Sequence, residues 1–170
     1  MRILRTALAL LLVFLLLPAA AEEAAAVTQG DYSYTVWAGW TGETDNPEVY
    51  TFFRDPSEPT RGYLNVQVRT EDIFGEIAAE EREETLQTVL DYLAKTDGFD
   101  DPETTFGTWG GHEGMMFTVR YMKRMNAAGF ITYHGKSVCW ILLADEDAGT
   151  AELTELLAGL LGTLKYTGVE

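Results

Sequence analysis

Residues 137–144 have the sequence SVCWILLA, and positions 138–143 are apolar without interruption. Successive side chains of a strand point to opposite faces, so a strand in a sheet with one wet face alternates apolar and polar residues. This stretch does not alternate. We therefore expect a strand over residues 137–144 that other parts of the chain cover on both faces.

Turn residues and period-two alternation predict the other strands. His134-Gly135 predicts the turn of a hairpin that leads into this strand, and the Gly-rich segment 110–114 predicts a second hairpin. Three earlier strands alternate apolar and polar residues and could form a meander. The predicted strands are residues 32–36, 49–54, 63–69, 104–109, 115–122, 130–133 and 137–144, with loops at residues 41–47, 55–60 and 97–103.

Two segments have apolar residues at helical spacing. The first has its stripe over residues 86–93 and ends at residues 95–98, and the second covers residues 150–164. A short edge strand is expected at residues 166–169. Because short turns between consecutive strands require antiparallel pairing, we predict an α+β fold. In this fold two main helices pack on a mostly antiparallel sheet of about six to seven strands.

The order of these elements resembles the Mog1/PsbP-like α/β/α sandwich superfamily over about residues 32–168. The resemblance is carried by Gly111-x-x-Gly114-Met115, by Tyr133-His134-Gly135-Lys136 and by residues 150–166. Members of that superfamily include photosystem assembly proteins, a binder of a small GTPase, and small exported bacterial proteins of unassigned role. Because these members differ widely in function, the resemblance implies a fold, and it carries over no functional residue.

The N-terminal residues have the three-part pattern of a secretory signal peptide. Arg2 and Arg5 precede an apolar run at residues 7–17, and alanines 19–21 supply the small residues of a cleavage site. The run 6–21 has 16 residues, and a membrane-spanning helix needs roughly 20. Cleavage is therefore favoured over a retained anchor. We expect a secreted, periplasmic or otherwise extracytoplasmic protein.

Cleavage is predicted after Ala21, with the bond after Ala26 as the alternative, because residues 24–26 satisfy the same small-residue rule. The single cysteine, Cys139, follows neither site, so a lipoprotein anchor is excluded. The predicted organisation is a signal peptide at residues 1–21, a disordered leader at residues 22–30 and one α+β domain at residues 31–170. No stable membrane insertion is expected after cleavage.

The chain is strongly acidic, with 27 Asp and Glu against 12 Lys and Arg and a formal charge of −15. Loss of Arg2 and Arg5 with the signal would make this −17. Such a charge repels nucleic acid and anionic membrane surfaces, so neither is expected as a main partner. One cysteine allows no internal disulfide, and Cys139 is expected to be buried and inert in its apolar strand.

Two histidines and a glutamate are candidate metal ligands. His112 and Glu113 lie in a Gly-rich turn, and His134 lies in a hairpin turn. Imidazole and carboxylate groups suit zinc, although a zinc site needs three or four converging ligands. The sequence contains no His-x-x-x-His pattern. We therefore treat His112, Glu113 and His134 as a hypothesis that the fold must test by bringing them together.

Tryptophans are the remaining candidates for a binding surface. Trp37, Trp40 and Trp109 end strands or lie beside loops, whereas Trp140 lies inside the apolar strand. Exposed tryptophans often anchor partners, because they combine a large apolar area with one hydrogen-bond donor. The alternative is that these rings cover the core beneath loops. We predict Trp37, Trp40 and Trp109 as binding residues.

The sequence lacks the motifs of common enzyme classes. It contains neither Gly-x-Ser-x-Gly nor a phosphate-binding Gly loop followed by Lys and Ser or Thr. We therefore predict an exported, non-enzymatic binding or accessory domain that uses no cofactor and whose partner is a protein or a surface glycan. The alternative is a small metal-dependent or hydrolytic enzyme that uses His112 and Glu113.

Overall fold

A computed structural model of the chain describes residues 24–72, 74, 77–96 and 99–168. The predicted signal peptide at residues 1–21 lies outside these residues, and so do Asp97, Gly98 and Val169. The strands are β1 Ala25–Gln29, β2 Tyr32–Val36, β3 Thr41–Asn46, β4 Val49–Phe53, β5 Arg61–Thr70, β6 Asp100–Trp109, β7 His112–Tyr121, β8 Met125–His134, β9 Ser137–Asp145 and β10 Lys165–Tyr166. The helices are α1 Arg82–Thr96, preceded by the 3-10 turn Ala79–Glu81, and α2 Thr150–Leu161.

Strand β9 is the middle strand of a seven-stranded sheet with the order β3-β4-β5-β9-β8-β7-β6. All pairings in this sheet are antiparallel. Every residue of β9 is buried, which confirms that this strand is covered on both faces. The α+β class is confirmed as well, with two α-helices among the described residues.

Alternate residues of β9 enter two separate cores. Cys139, Ile141 and Leu143 pack with leucines of α2 and with β2 on one face of the sheet. Trp140 and Leu142 pack with α1 on the other face. The uninterrupted apolar sequence is therefore the consequence of two layers, one on each side of the same strand.

The strand at residues 32–36 is not part of the expected meander. It is β2, the middle of a separate three-stranded sheet with the order β1-β2-β10. Its alternation is correct, because Tyr32, Tyr34 and Val36 are buried against the main sheet. The observed meander is β3-β4-β5 instead. Period-two alternation identifies a strand and its buried face, but it does not identify the strand's neighbours.

The prediction of a disordered leader over residues 22–30 is wrong for residues 25–29, which form β1. This strand pairs with β2 from Ala25↔Val36 to Gln29↔Tyr32. Its anchor is Gln29, which is buried and whose Nε2 donates to the carbonyls of Glu48 and Val66 at 2.8 and 3.1 Å. Ala-rich β1 shows no alternation pattern, and Gln29 is its one buried residue.

Three boundaries also differ from the sequence prediction. Residues 41–46 form the edge strand β3 rather than a loop, and their polar, exposed side chains give no strand pattern. Strand β6 starts at Asp100, inside the predicted loop 97–103. Helix α2 ends at Leu161 rather than at residue 164, and Gly162 is its C-cap residue. None of the helices among the described residues has the length and apolarity to cross a bilayer.

Candidate functional site

His112 and His134 meet on the face of the main sheet that α2 covers. Strands β7 and β8 are in register at Gly114↔Thr132, and continuing this register by two residues places His112 opposite His134. The two side chains point to the same face, and Nδ1 of His112 lies 3.2 Å from Nε2 of His134. The pairing of the two strands therefore assembles a contact between residues that are 22 positions apart.

The contact of the second ring nitrogen of His112 determines which nitrogens of the two rings donate and which accept. Nε2 of His112 lies 3.0 Å from the carbonyl oxygen of Leu164. A carbonyl only accepts, so this nitrogen carries a proton and donates it. In the neutral ring Nδ1 then accepts, and Nε2 of His134 is the donor to it. Buried His112 thus ties the segment after α2 to the main sheet.

Aromatic rings surround this histidine pair. His134 stacks on Tyr166 of β10 with ring centroids 4.7 Å apart, and Tyr32 lies edge-on to Tyr166 at 5.4 Å. The phenol of Tyr32 donates to the carbonyl of Ser137 at 3.2 Å. Burial, with a smaller contribution from neighbouring charges, raises the pKa of Tyr32 well above its usual value, so this phenol stays a donor.

Glu113 lies on the opposite face of the sheet, because consecutive side chains of a strand alternate. Its carboxylate is 3.5 Å from Nε of Arg82, and Arg82 also packs over the ring of Tyr133 at 4.2 Å. Nη1 of Arg82 donates to the carbonyl of Tyr133 at 3.1 Å. The sheet therefore brings His112 and His134 together and separates both of them from Glu113.

This separation bears directly on the metal hypothesis. Both ring nitrogens of His112 are already engaged, one with Leu164 and one with His134. Within residues 24–72, 74, 77–96 and 99–168, no three side chains of the His, Cys, Asp and Glu types converge in a way that could hold a metal ion. The geometry in the described chain is that of a hydrogen-bonded histidine pair.

A cleft of about 440 Å³ opens beside His134. Its lining includes Asp31, His134, Lys136 and Tyr166. Lys136 is already paired with the carboxylate of Asp72, at 2.8 Å. Groups of both charges line the cleft, so its electrostatics select neither an anion nor a cation.

Trp37 and Trp40 form a second feature, in the turn between the two sheets. The amide of Trp40 donates to the carbonyl of Trp37 at 3.3 Å, and Gly39 has φ +80°. A positive φ at the third residue is the signature of a type II turn, which glycine adopts without strain. The indole centroids lie 5.0 Å apart, and both rings are half-buried against the core.

Trp109 is not part of that pair. It ends β6, which is one edge of the main sheet, whereas Trp40 precedes β3, which is the other edge. The two also lie at opposite ends of the strands, since Trp109 is in register with His112. Trp109 packs edge-on against Phe130 with centroids 5.7 Å apart. The three predicted binding tryptophans therefore form one pair and one separate residue.

The turn between β7 and β8 was missed by the sequence analysis, which assigned nothing to residues 123–129. It exposes Met122, Lys123 and Arg124. The only signal in the sequence was two consecutive basic residues, Lys123 and Arg124, after Met122 in a very acidic chain. The turn has no Gly, Asn or Asp at its centre, so the usual hairpin signature was absent.

No protein-family model and no curated protein sequence matches the chain. Solved structures match its fold. The cyanobacterial PsbP (CyanoP) of Synechocystis has a TM-score of 0.58 at 10% identity, with 88% of this chain and 95% of that chain covered. The Ran-binding protein Mog1p of Saccharomyces cerevisiae has 0.55 at 8%, covering 85% and 97%.

LpqN of Mycobacterium tuberculosis, described as involved in cell envelope biogenesis, has a TM-score of 0.55 at 17% identity, covering 86% of this chain and 91% of that chain. The chain spans about half (47%) of the length of a matching protein from Bacteroides thetaiotaomicron, with a TM-score of 0.55 at 12% identity and 84% of this chain covered. These similarities establish a Mog1/PsbP-like fold, as expected from the sequence.

Proposed function

We propose that this chain is an exported, non-enzymatic binding or accessory domain that contacts its partner through the Trp37–Trp40 turn. The observation that carries the proposal is the pair of half-buried indoles, 5.0 Å apart, on a turn defined by Gly39. The partner class that we favour is a protein. A surface glycan is the alternative occupant, since indole rings also stack on flat ligands.

The physical basis is the energy that a preorganised aromatic pair supplies. Tryptophan buries a large apolar area with only two side-chain torsions to fix, and it is enriched at the positions that dominate interface energies. The ring of Trp40 lies against Gly62, where an added Cβ would be 3.3 Å from Cη2. Both indoles also pack against the buried core, which restricts their motion before binding and lowers the entropic cost of association.

Export is part of the same proposal and rests on the signal-like residues 1–21. Cleavage after Ala21 would leave β1 complete, whereas cleavage after Ala26 would remove the first two residues of that strand. This favours the bond after Ala21. Among proteins with this fold, LpqN is described as acting in cell envelope biogenesis, which is compatible with an extracytoplasmic role.

Site-specific photo-crosslinking in the native host tests the binding proposal. A photoreactive aromatic residue replaces Trp37 in the full chain, and a matched chain carries it at Trp109, which is also half-buried but lies at the opposite edge and end of the sheet. We expect one discrete adduct from position 37 that Trp40→Ala weakens, and no such adduct from position 109. Equal labelling from both positions, or none from position 37, would contradict the proposal.

N-terminal sequencing of the exported chain tests the localisation separately. We expect the mature protein to begin at Glu22. A first residue of Val27 would identify the alternative site, and an intact Met1 in the chain recovered from the envelope would contradict cleavage.

A further inference from the structure

Arg54 lies next to the Trp37–Trp40 turn. A Cβ added at Gly62 of β5 would lie 3.2 Å from Nε of Arg54 and 3.3 Å from Cη2 of Trp40. Both atoms are thus within 3.3 Å of one point, and the guanidinium group and the indole are close neighbours. Gly62 also has φ +87°, which disfavours any residue with a side chain. Glycine at this position therefore leaves the space in which Arg54 and Trp40 approach each other.

A buried carboxylate holds Arg54 in this position. Nη2 of Arg54 donates to Oδ2 of Asp145 at 2.9 Å, and the side chain of Asp145 is only 4% exposed. Oδ1 of Asp145 accepts from the backbone amides of Asp147 and Ala148 at 2.8 and 3.1 Å. Hydrogen bonds to ionised groups are among the stronger ones in proteins. The guanidinium group is therefore oriented by the folded chain before any partner binds.

The side chains that this site exposes are hydrogen-bond donors. The side chain of Arg54 is 55% exposed, and its Nε and Nη1 donate to no group of residues 24–72, 74, 77–96 and 99–168. The indole N–H groups of Trp37 and Trp40 have no acceptor in that part of the chain either, and both reach solvent. Two indoles and one guanidinium group thus offer donors that the protein itself leaves to water.

This set of donors indicates what a complementary ligand presents. Tryptophan and arginine side chains donate and do not accept, so the ligand supplies the acceptors. A carbonyl oxygen only accepts, whereas each hydroxyl group of a glycan also carries a proton that needs an acceptor of its own. The site therefore suits the carbonyl groups of a polypeptide better than the hydroxyl groups of a glycan.

Neighbouring charges disfavour a carboxylate as the acceptor. Asp145 already neutralises Arg54, and the guanidinium group of Arg61 lies 3.0–3.2 Å from three further carboxylates. An incoming anion would therefore meet no excess of positive charge, whereas an uncharged carbonyl group needs none. This end of the sheet carries five acids and four cations, which are Asp55, Glu58, Asp145, Glu146 and Asp147 against Arg54, Arg61, Lys123 and Arg124.

We propose that Arg54 belongs to the Trp37–Trp40 binding surface, and that this surface recognises a protein segment with uncharged carbonyl oxygens beside an apolar side chain. The two indoles cover the apolar side chain, and Nε and Nη1 of Arg54 donate to the carbonyl oxygens. Tryptophan and arginine are enriched at the positions that dominate interface energies. The inference rests on the proposed function, because it names what the Trp37–Trp40 surface recognises.

Titration of the purified exported chain with small probes tests this recognition. The probes are a tripeptide with an acetylated N-terminus and an amidated C-terminus, alanyl-leucyl-alanine, together with methyl glucoside and acetate. NMR of the isotope-labelled protein follows the side-chain N–H signals. We expect the tripeptide to shift the signals of Trp37, Trp40 and Arg54 and to leave those of Trp109 and Trp140 unchanged. Methyl glucoside and acetate are expected to shift none of them.

Variants of Arg54 test whether this residue takes part. Arg54→Lys keeps a cation beside Asp145 but lacks the forked donors of arginine, and we expect the affinity for the tripeptide to fall roughly 2- to 12-fold, the range for one hydrogen bond. Arg54→Met/Asp145→Asn leaves no unpaired buried carboxylate and should lose at least as much. Arg61→Lys is the matched control at the same end of the sheet, and no measurable loss is expected. Urea midpoints establish that each variant is folded.

The outcomes separate this inference from the proposed function. Photo-crosslinking from position 37 should give a weaker adduct in Arg54→Lys, and the attached molecule should be a protein. An adduct that Arg54→Lys leaves unchanged, or one with a glycan, would overturn the inference. So would equal shifts with all three probes, no shift with the tripeptide, or equal losses in Arg54→Lys and Arg61→Lys. Tripeptide shifts in a chain that gives no adduct would support the recognition and contradict the proposed function.

Discussion

Replacing His112 by leucine tests the structural role of the histidine pair most directly. The imidazole is only 7% exposed, and leucine has nearly the same volume, so the cavity is small. The substitution removes the donor to the carbonyl of Leu164 and the contact with His134. We therefore expect the loss of stability to come from hydrogen bonding rather than from packing.

The size of this destabilisation depends on whether the two former partners of His112, the carbonyl of Leu164 and the ring of His134, remain buried. Leu164 is 3% exposed, so its carbonyl finds no water, and an orphaned buried acceptor costs about 1–3 kcal/mol. His134 is half-buried, so water partly replaces its lost partner, and this loss adds at most about 1 kcal/mol. We expect His112→Leu to lower the free energy of unfolding by about 1–4 kcal/mol.

Urea unfolding followed by tryptophan fluorescence measures this change as a shift in midpoint at constant slope. Two controls define the cause. His112→Gln places an amide donor near the position of Nε2 and is expected to recover part of the loss. His134→Ala leaves the bond to Leu164 intact. Because His134 lines the cleft, water can fill the space it leaves and donate to Nδ1 of His112, so this variant should cost only about 0.5–1.5 kcal/mol. If His112→Leu costs no more than His134→Ala, the buried carbonyl does not set the energy.

Three further predictions use single positions. Gly129→Ala should destabilise the protein by about 1–3 kcal/mol, because its Cβ would overlap the ring of Phe117. Gly159→Ala in α2 meets nothing within 4 Å and should stabilise the protein by about 0.5–1 kcal/mol. Urea midpoints of the two variants that move in the same direction would contradict this. Burial raises the pKa of the Cys139 thiol, so a thiol reagent should modify it only as fast as the protein unfolds, and rapid labelling of the native chain would refute the burial. Burial also raises the pKa of Tyr63 to about 12, so the folded state keeps a proton that the unfolded state loses above about pH 10. This contribution to stability is complete below about pH 10 and disappears as the pH rises towards 12; the Tyr63→Phe variant should lose less stability in that window than the parent chain.

Strands and helices with a buried face could be recognised from the sequence. Residues 138–143 lacked alternation, and the structure covers that strand with α1 on one face and with α2 and β2 on the other. Strands with few buried apolar side chains leave no periodic pattern in the sequence, and such strands were therefore missed. Strand β1 is held by the amide of Gln29, and β3 is a polar edge strand, so neither has a periodic apolar pattern.

The candidate sites depended on register, which the sequence did not specify. His112 and His134 meet because of the β7–β8 pairing. Glu113 is the next residue of the strand, so its side chain points to the opposite face of the sheet. Trp37 and Trp40 are neighbours through a turn of four residues, and that local proximity could have been predicted. Their distance from Trp109 follows from the strand order of the sheet, in which β3 and β6 are the two edges.

The sequence by itself determined the α+β class, the doubly covered central strand and the acidic charge, because hydrophobic periodicity and composition are local properties. It also supplied the signal-like N-terminus as a prediction. Only the tertiary structure decided which strands pair, that a second small sheet exists, and that His112 bonds to His134 and Leu164 while Glu113 faces Arg82. Strand order and register depend on contacts between residues far apart in the chain, and a shift of one residue moves every side chain to the other face. The same contacts enforce the left-handed turn at Met122 and Lys123, which no local preference of those two residues would favour.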